Sequence, residues 1–179
     1  MSLPIRKPLN PYDLSRRYAS DLADADYRAL ADFRLQIRRF LHFSEEAARS
    51  EGLELQQHQF LLTVRALMGS HGGSHGPTVG EIAEHLLIRH HSAVGLADRL
   101  VEHGLVERVR GEGDRRQVRI RLTAHGKKTI ARLSGIHREE LLSSGPLLVE
   151  SLGALLQQLR EQREPQRNHE DDKDDVSKA

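Results

Sequence analysis

A short alternation of apolar and charged residues constrains the fold of this chain most. Over 118–122 every second residue is apolar and the others are arginines, the pattern of a strand whose three apolar side chains face a core. The valine-rich segment 105–110 predicts a second strand. The segment 111–114 between them has two glycines and predicts a hairpin turn, followed by Arg115 and Arg116. The chain therefore contains a basic β-hairpin.

Two short helices are predicted directly before this hairpin. Thr78 and Glu81 match a capping box, in which each side chain accepts a hydrogen bond from the other residue's backbone, and the helix ends near Leu86. After a turn, the second helix runs from about His90 to His103, before Gly104. Its expected apolar face comprises Ala93, Val94, Ala97, Leu100 and Val101. Two short helices followed by a hairpin outline a winged helix-turn-helix.

Amphipathic helices flank this unit. Their spacing predicts helices over 27–51 and 56–68, and another from Thr123 to about Leu142 with Ile136 or His137 on its inner side. Gly52 is the expected stop of the first of these helices, and residues 69–77 are expected to form a loop. Gly145-Pro146 is expected to break the chain before a last, leucine-rich helix. Its apolar positions are Leu148, Leu152, Leu155, Leu156 and Leu159. Because the flanking stripes exceed what a small unit can cover, we expect a homodimer.

The predicted fold class is mainly α with a two-stranded β-wing, in which long terminal dimerisation helices flank a winged helix-turn-helix. The expected organisation is a partly ordered N-terminal arm (1–25), one domain (26–163) and a disordered acidic tail (164–179). Within the domain, the winged helix-turn-helix covers about 55–122, and the dimerisation helices cover about 27–51 and 124–163.

Charge distribution and residue usage narrow the class of protein. The net charge is only +1, but residues 105–128 hold eight Lys or Arg against three acidic residues, a local excess typical of a phosphate-contacting element. The chain has no cysteine, which excludes disulfides and thiolate catalysis. No apolar run is long enough to span a membrane and no signal peptide precedes the domain, so we expect a cytoplasmic protein.

Several segments together resemble the MarR (multiple antibiotic resistance regulator) family. They are Val79-Gly80-Glu81-Ile82-Ala83, the run from Val94 to Val101, Gly104-Leu105-Val106-Glu107-Arg108, and Asp114-Arg115-Arg116 with Leu122-Thr123 and Gly126. The resemblance covers about residues 27–160. It implies a dimeric winged-helix transcriptional regulator that binds double-stranded DNA, often a repressor, released from a pseudo-palindromic operator by a small molecule.

The predicted DNA-binding residues lie on the second short helix and on the wing. Opposite the expected apolar stripe lie His91, Ser92, Gly95 and Arg99, with His90 at the N-terminal end of the helix; the first turns of such a helix read the major groove. The alternative is that both histidines are merely exposed. Arg115 and Arg116 suit a narrow minor groove, and Asp114 either orients a neighbouring arginine or serves the turn.

The resemblance also implies an effector pocket between the first helix, the second helix and the helix after the wing. The polar candidates to face it are Arg38, His42, His58 and Arg65, which suit a small aromatic or carboxylated effector. Their alternative role is as surface charges along a dimer interface. The eleven histidines show no zinc-site spacing, so neither a metal nor a cofactor is predicted.

Besides a winged-helix fold used only for protein association, two other functions compete with a regulator. The first is an architectural DNA-binding protein that needs no effector; it would bind uniformly, without sequence preference at raised salt. The second is an enzyme, which we do not expect, because the sequence shows no nucleophile elbow, phosphate loop or telling carboxylate pair.

Overall fold

The computed structural model describes residues 22–70, 76–110 and 118–161. In this part of the chain five helices and two strands follow one another: α1 (Asp24–Ser50), α2 (Leu55–Ser70), α3 (Val79–Leu86), α4 (His90–Glu102), β1 (Val106–Arg110), β2 (Val118–Leu122) and α5 (Ala124–Glu161). The predicted fold class is confirmed. Most of the arm, the hairpin turn and the acidic tail lie outside the described residues.

The chain divides into two compact units. One comprises Met1–Gln36 and Leu147–Ala179, and the other is Ile37–Pro146. The second unit holds the main core, in which α2 packs against α3, α4 and β2. Phe60, Leu61 and Val64 of α2 are completely buried. Burying each such side chain stabilises the folded state by about 1.5–3 kcal/mol relative to leaving it exposed.

The helix-turn-helix begins at the predicted capping box. The backbone N–H of Glu81 donates to Thr78 Oγ1 at 3.3 Å, and the backbone N–H of Thr78 donates to Glu81 Oε2 at 2.7 Å. Two donors at the start of α3 are thereby satisfied. Val79, Ile82 and Ala83 are buried, so the cap directs one face of α3 into the core.

Three helices end in the same way, with one residue in the left-handed conformation. After α1 and α4 that residue is Gly52 (φ +72°) and Gly104 (φ +65°), as the sequence predicted, but after α3 it is Leu87 (φ +54°). At the end of α3 the N–H of Leu87 donates to the carbonyl of Glu84, and the N–H of Ile88 to that of Ala83. These two bonds define a Schellman motif. Leu87 is 93% exposed, so no burial of its side chain compensates for the unusual backbone.

The hairpin is antiparallel, with Val106 opposite Leu122 and Arg110 opposite Val118. Ile120 and Leu122 are buried as predicted, but Val118 is 44% exposed. The expectation that all three apolar side chains face the core is therefore wrong at Val118. This valine is in the last described pair of the sheet and lines an open groove beside α3 and α4.

The segment before α3 lies along the free edge of β2. The N–H of Ile120 donates to the carbonyl of Pro77 at 2.8 Å, Thr78 forms a bridge with Arg119, and a guanidinium nitrogen of Arg119 donates to the carbonyl of Gly76 at 3.0 Å. A Cβ at Gly76 would collide with the carbonyl oxygen of Ile120. The predicted loop over 69–77 thus ends in an ordered strand-like contact.

The predicted break at Gly145-Pro146 in the helix after the wing is wrong. α5 continues from Ala124 to Glu161 with Pro146 inside it. A proline within a helix removes one backbone hydrogen bond, and the leucines on both sides favour the helix enough to continue it. The boundary between the two units nevertheless falls at this proline. No helix in the described ranges is both long and apolar enough to cross a membrane.

In the smaller unit, α1 begins three residues before the predicted start. The backbone N–H of Ala23 donates to Asp26 Oδ2 at 2.8 Å, which caps the first turn, and Asp26 is buried. Leu155 is buried as well, whereas Leu147, Leu152 and Leu156 are exposed. This part of α5 therefore presents an apolar surface in the single chain.

Gly126 allows α5 to start against the end of α4. A Cβ at this position would collide with the carbonyl oxygen of Leu105. The same carbonyl accepts a hydrogen bond from the N–H of Thr123 at 3.1 Å, and Thr123 Oγ1 accepts from the N–H of Gly126 at 3.0 Å. The two hydrogen bonds of Thr123 hold the start of α5 against Leu105, so the carbonyl of Leu105 has little freedom to move away from position 126.

We expect Gly126→Ala to destabilise the fold by about 1–3 kcal/mol, because the added methyl group must displace backbone. Gly135→Ala is the matched control on the same helix: nothing lies within 4 Å of its Cβ position, so it should be neutral or stabilise by up to about 1 kcal/mol. Urea unfolding of the two variants measures the difference. Equal stabilities would show that α5 does not approach Leu105 this closely.

Candidate nucleic-acid interface and a buried histidine cluster

The predicted reading residues lie together on the outer side of α4. His90, His91, Ser92 and Arg99 are exposed, and Gly95 is half-buried. A Cβ at Gly95 would meet only a guanidinium nitrogen of Arg99, at 3.9 Å. The surface is therefore shallow at its centre and polar around it, which suits close approach to a large partner.

The buried face of α4 is rotated relative to the prediction. Leu96, which the sequence analysis did not include, is buried, while Val101 is 38% exposed, and Val94 is half-buried against the core. The buried residues Ala93, Leu96, Ala97 and Leu100 form one i, i+3, i+4, i+7 stripe. After α4 the chain reverses, with the N–H of Leu105 bonded to the carbonyl of Leu100, and Leu105 is buried in the core. His91 and Gly95 remain opposite the buried stripe.

The N-terminus of α4 differs from that of α3. Its N-cap residue, Arg89, has an extended backbone and makes no side-chain cap hydrogen bond. The first backbone N–H groups of a helix have no acceptor within it, and their partial positive charge favours an anion such as a phosphate. Exposed Arg89 and His90 border this end. The sequence analysis missed Arg89, although its place directly before the helix could have indicated it.

Several arginines of the hairpin are engaged within the fold. Arg108 pairs with Asp98 of α4 at 2.7 Å, Arg121 pairs with Glu107 at 3.7 Å, and Arg119 bonds to Gly76. The exposed pairs are each worth about 1 kcal/mol or less, but the first joins the wing to α4. Part of the positive charge predicted for DNA contact is thus neutralised at the base of the hairpin.

An open groove of about 600 Å³ lies between α3, α4 and the hairpin. Val94 and Val118 line it beside His90 and Arg108. This groove accounts for the incomplete burial of both valines. The predicted wing residues Asp114, Arg115 and Arg116 lie outside the described residues.

The four predicted effector residues occupy different surroundings. Arg38, His42 and Arg65 are exposed, and only His58 is buried, with 3% exposure. The described structure does not bring the four side chains together in one pocket. His58 instead belongs to a cluster where α1, α2 and α5 meet.

The centre of this cluster is His137 of α5, which the sequence analysis placed on the inner side of its helix but did not assign to a site. Its ring lies 4.6 Å from the ring of His58, and Phe40 and Phe43 of α1 approach it edge-on at 6.1 and 5.9 Å. His137 Nδ1 lies 2.7 Å from the carbonyl of Leu133. Because a carbonyl oxygen only accepts, Nδ1 carries a proton.

The other nitrogen of His137 lies 2.8 Å from Ser44 Oγ of α1. In the neutral ring this nitrogen accepts from the serine hydroxyl, and in the charged ring it donates to the same oxygen. His137 is therefore satisfied in either state. No signal in the sequence connects Ser44 with His137, because 93 residues separate them.

The ring of His58, unlike that of His137, is not fully hydrogen-bonded. Its Nδ1 is buried and has no hydrogen-bond partner in the described part of the chain. Burial, together with the charge of His137, lowers the pKa of His58 from 6.5 to about 4. The ring is therefore neutral at physiological pH. Between the end of α1 and α5, Arg132 donates to Glu51 Oε1 at 3.0 Å, and this hydrogen bond lowers the pKa of Glu51.

The order α3, turn, α4, β1, β2 defines the class of this protein as winged helix-turn-helix. Residues 51–117 match the model of the MarR family. No curated protein sequence matches the chain significantly. Among the described residues no group of three or more histidine or acidic side chains is arranged to hold a metal ion.

Solved structures share the fold at low sequence identity. A mutant of MarR from E. coli is 18% identical, with a TM-score of 0.56 over 78% of this chain and 98% of its own. A mutant of MepR from S. aureus bound to an oligodeoxyribonucleotide is 19% identical, with a TM-score of 0.54 over 80% of this chain and 100% of its own. BpsR from Bordetella bronchiseptica, whose DNA binding is regulated by 6-hydroxynicotinic acid, is 19% identical, with a TM-score of 0.52 over 73% and 95%.

The match of residues 51–117 to the MarR family model, together with the winged-helix fold shared with solved MarR-family proteins, confirms the resemblance seen in the sequence.

We expect Gly95→Leu to fold normally and to lose at least tenfold in affinity for duplex DNA selected by the wild-type protein. The site has room for a side chain within the protein, but a leucine there would hold α4 away from a groove that it must approach closely. Gly135→Leu places the same side chain at an exposed helical glycine of α5 and should bind normally. Electrophoretic mobility shifts compare the two; wild-type affinity for Gly95→Leu would mean that another face of α4 contacts DNA.

Proposed function

We propose that this protein is a homodimeric transcriptional repressor that binds a pseudo-palindromic operator and is released by a small aromatic or carboxylated effector. The uncapped N-terminus of α4 carries the proposal, because it lies next to an exposed polar face with a glycine at its centre. Such a helix end combines phosphate contact with base readout. The fold shared with MepR, which is bound to an oligodeoxyribonucleotide, supports the same use of α4 here.

In this proposal α4 enters the major groove and the wing contacts the adjacent backbone or minor groove. His90, His91 and Ser92 meet base edges or phosphates, and Arg99 supports contact farther along the helix. Arg108, Arg119 and Arg121 are engaged within the fold, and Arg115 and Arg116 are the proposed DNA contacts of the wing. Asp114 orients one of these guanidinium groups.

A binding selection from fragmented genomic DNA with the purified protein tests the proposal directly. Recovery of one inverted-repeat sequence is the expected result. Uniform recovery of unrelated fragments would favour the architectural alternative, because binding to phosphates alone does not discriminate between sequences.

Replacing Arg115 and Arg116 with Ala should weaken binding to the selected duplex at least tenfold. Each lost phosphate contact should also lower the slope of log affinity against log salt by about 0.9. The double variant Arg49→Ala with Arg138→Ala removes the same charge from α1 and α5, where both arginines pair with glutamates, and should change neither quantity. Fluorescence anisotropy over a salt series measures both, and an unchanged slope in the wing variant would remove the wing from the interface.

Dimerisation is proposed from the exposed leucines of α5. Leu147, Leu152 and Leu156 are 50%, 39% and 45% exposed in the single chain. Removing such surface from water is worth about 25 cal/mol per Å². A two-fold pairing would also set two copies of α4 about one turn of DNA apart, which an inverted-repeat operator requires.

We expect Leu152→Arg combined with Leu156→Arg to give a monomer that no longer binds the operator, because two charges would be buried without partners. Ala131→Arg, at an exposed position of the same helix in the larger unit, should remain dimeric. Sedimentation velocity and mobility shifts of both variants check this. A wild-type monomer that binds the operator fully would contradict the proposal.

Effector release is proposed to act at the cluster around His58. A buried nitrogen without a hydrogen-bond partner beside aromatic rings offers one specific contact in apolar surroundings, as small-molecule sites do. The regulation of BpsR by 6-hydroxynicotinic acid is a precedent for a carboxylated aromatic ligand on this fold. An architectural protein would need no such polar atom in its core, which favours the regulator.

A further inference from the structure

We propose that the ring pair His58–His137 is a proton sensor: acidification charges it, opens the junction of α1, α2 and α5, and lowers the affinity for DNA. The effect on DNA rests on the function proposed above, whereas the opening does not. His137 of α5 meets His58 of α2, and it meets Ser44 and two phenylalanine rings of α1, so one side chain joins all three helices.

The two rings differ in what a proton does to them. A protonated His137 keeps both hydrogen bonds, because the carbonyl of Leu133 still accepts and Ser44 Oγ changes from donor to acceptor. A protonated His58 gains a charge in the core, with 3% of the residue exposed and a neighbouring ring only 4.6 Å away. Desolvation of a charge without a partner is costly. His58 is therefore the member that cannot stay in place once charged.

The groups around His58 offer no compensating charge. From α1 the cluster contains Ser44, Phe40 and Phe43, and from α5 it contains His137. On α2 itself, the backbone N–H of His58 bonds to the carbonyl of Glu54. Glu51, directly after α1, and Arg132 of α5 pair with each other. In the described ranges the charge found to act on His58 is that of His137, and it repels a second proton.

An opening at this junction would reach the DNA-binding unit through α2. The helix that carries His58 also packs against α3, α4 and β2. α5, which carries His137, starts at the contact between Gly126 and the end of α4. Loss of the histidine contact therefore releases two helices that fix the position of α4, and a reading helix must be held closely to bind sequence-specifically.

The sign and size of the effect follow from proton linkage. The pKa of His58 is about 4 in the closed junction, against 6.5 for the exposed ring, so the open form binds the proton more tightly. The closed form is fully favoured above pH 6.5 and loses its advantage as the pH falls towards 4. Between about pH 7.5 and pH 5.5 the ratio of open to closed forms rises about tenfold.

The test measures opening and DNA binding separately. Hydrogen exchange of peptides from α2 and α5, corrected for intrinsic rates, should show protection about tenfold lower at about pH 5.5 than at pH 7.5. In His58→Phe, protection against exchange is expected to be independent of pH. His58→Leu is a second variant with the same expected result, for the case that the phenylalanine ring does not fit. His103→Gln removes an exposed histidine and should behave as wild type. The affinity for a duplex selected at pH 7.5 is measured on the same four proteins.

The proposal requires that wild type and His103→Gln lose affinity about tenfold more than the His58 variants do. Protection independent of pH in the wild type would overturn it, as would an equal loss of affinity in all four proteins. If no duplex is selected at any pH, the function proposed above fails; lower protection in the wild type and unchanged protection in the His58 variants would then still support the proton-driven opening.

Discussion

The backbone of Leu105 joins the parts of this structure that must keep a fixed geometry. Its N–H bonds to the carbonyl of Leu100, and its carbonyl accepts from Thr123. The end of α4, the start of the hairpin and the start of α5 therefore share one residue. Gly126 allows this meeting because any side chain there would collide with the same carbonyl. The orientation of the exposed face of α4 relative to the wing depends on it.

The local elements could be predicted because their signals are local. The capping box at Thr78, the glycine stops after α1 and α4, and the alternation in β2 are set by neighbouring residues, and the structure shows each of them. Errors arose where distant contacts decide. At the end of α4, Val101 is 38% exposed whereas Leu105 is buried, and Pro146 is accommodated within α5. Periodicity alone cannot show either outcome.

In the candidate sites, too, features within one helix could be predicted and contacts between separate elements could not. Helical spacing sufficed to place His90, His91, Ser92, Gly95 and Arg99 on one exposed face, because a single helix fixes their relative positions. The ion pair between Asp98 and Arg108 and the bond between Ser44 and His137 join separate elements, and no spacing predicts them. The hypothesis of a pocket shared by Arg38, His42, His58 and Arg65 needed three helices in a known arrangement. Of these four residues, only His58 is buried where those helices meet.

Leu87 affects how sharply the helix-turn-helix angle is defined. Its left-handed backbone costs a non-glycine residue about 1–2 kcal/mol, and the exposed side chain recovers none of it. However, the left-handed region available to leucine is small, whereas glycine has a much broader range at positive φ. Leucine in the turn between α3 and α4 therefore lowers the stability of the fold but narrows the range of angles between the two helices. The backbone strain at Leu87 thus accompanies a more closely fixed orientation of α4 relative to α3.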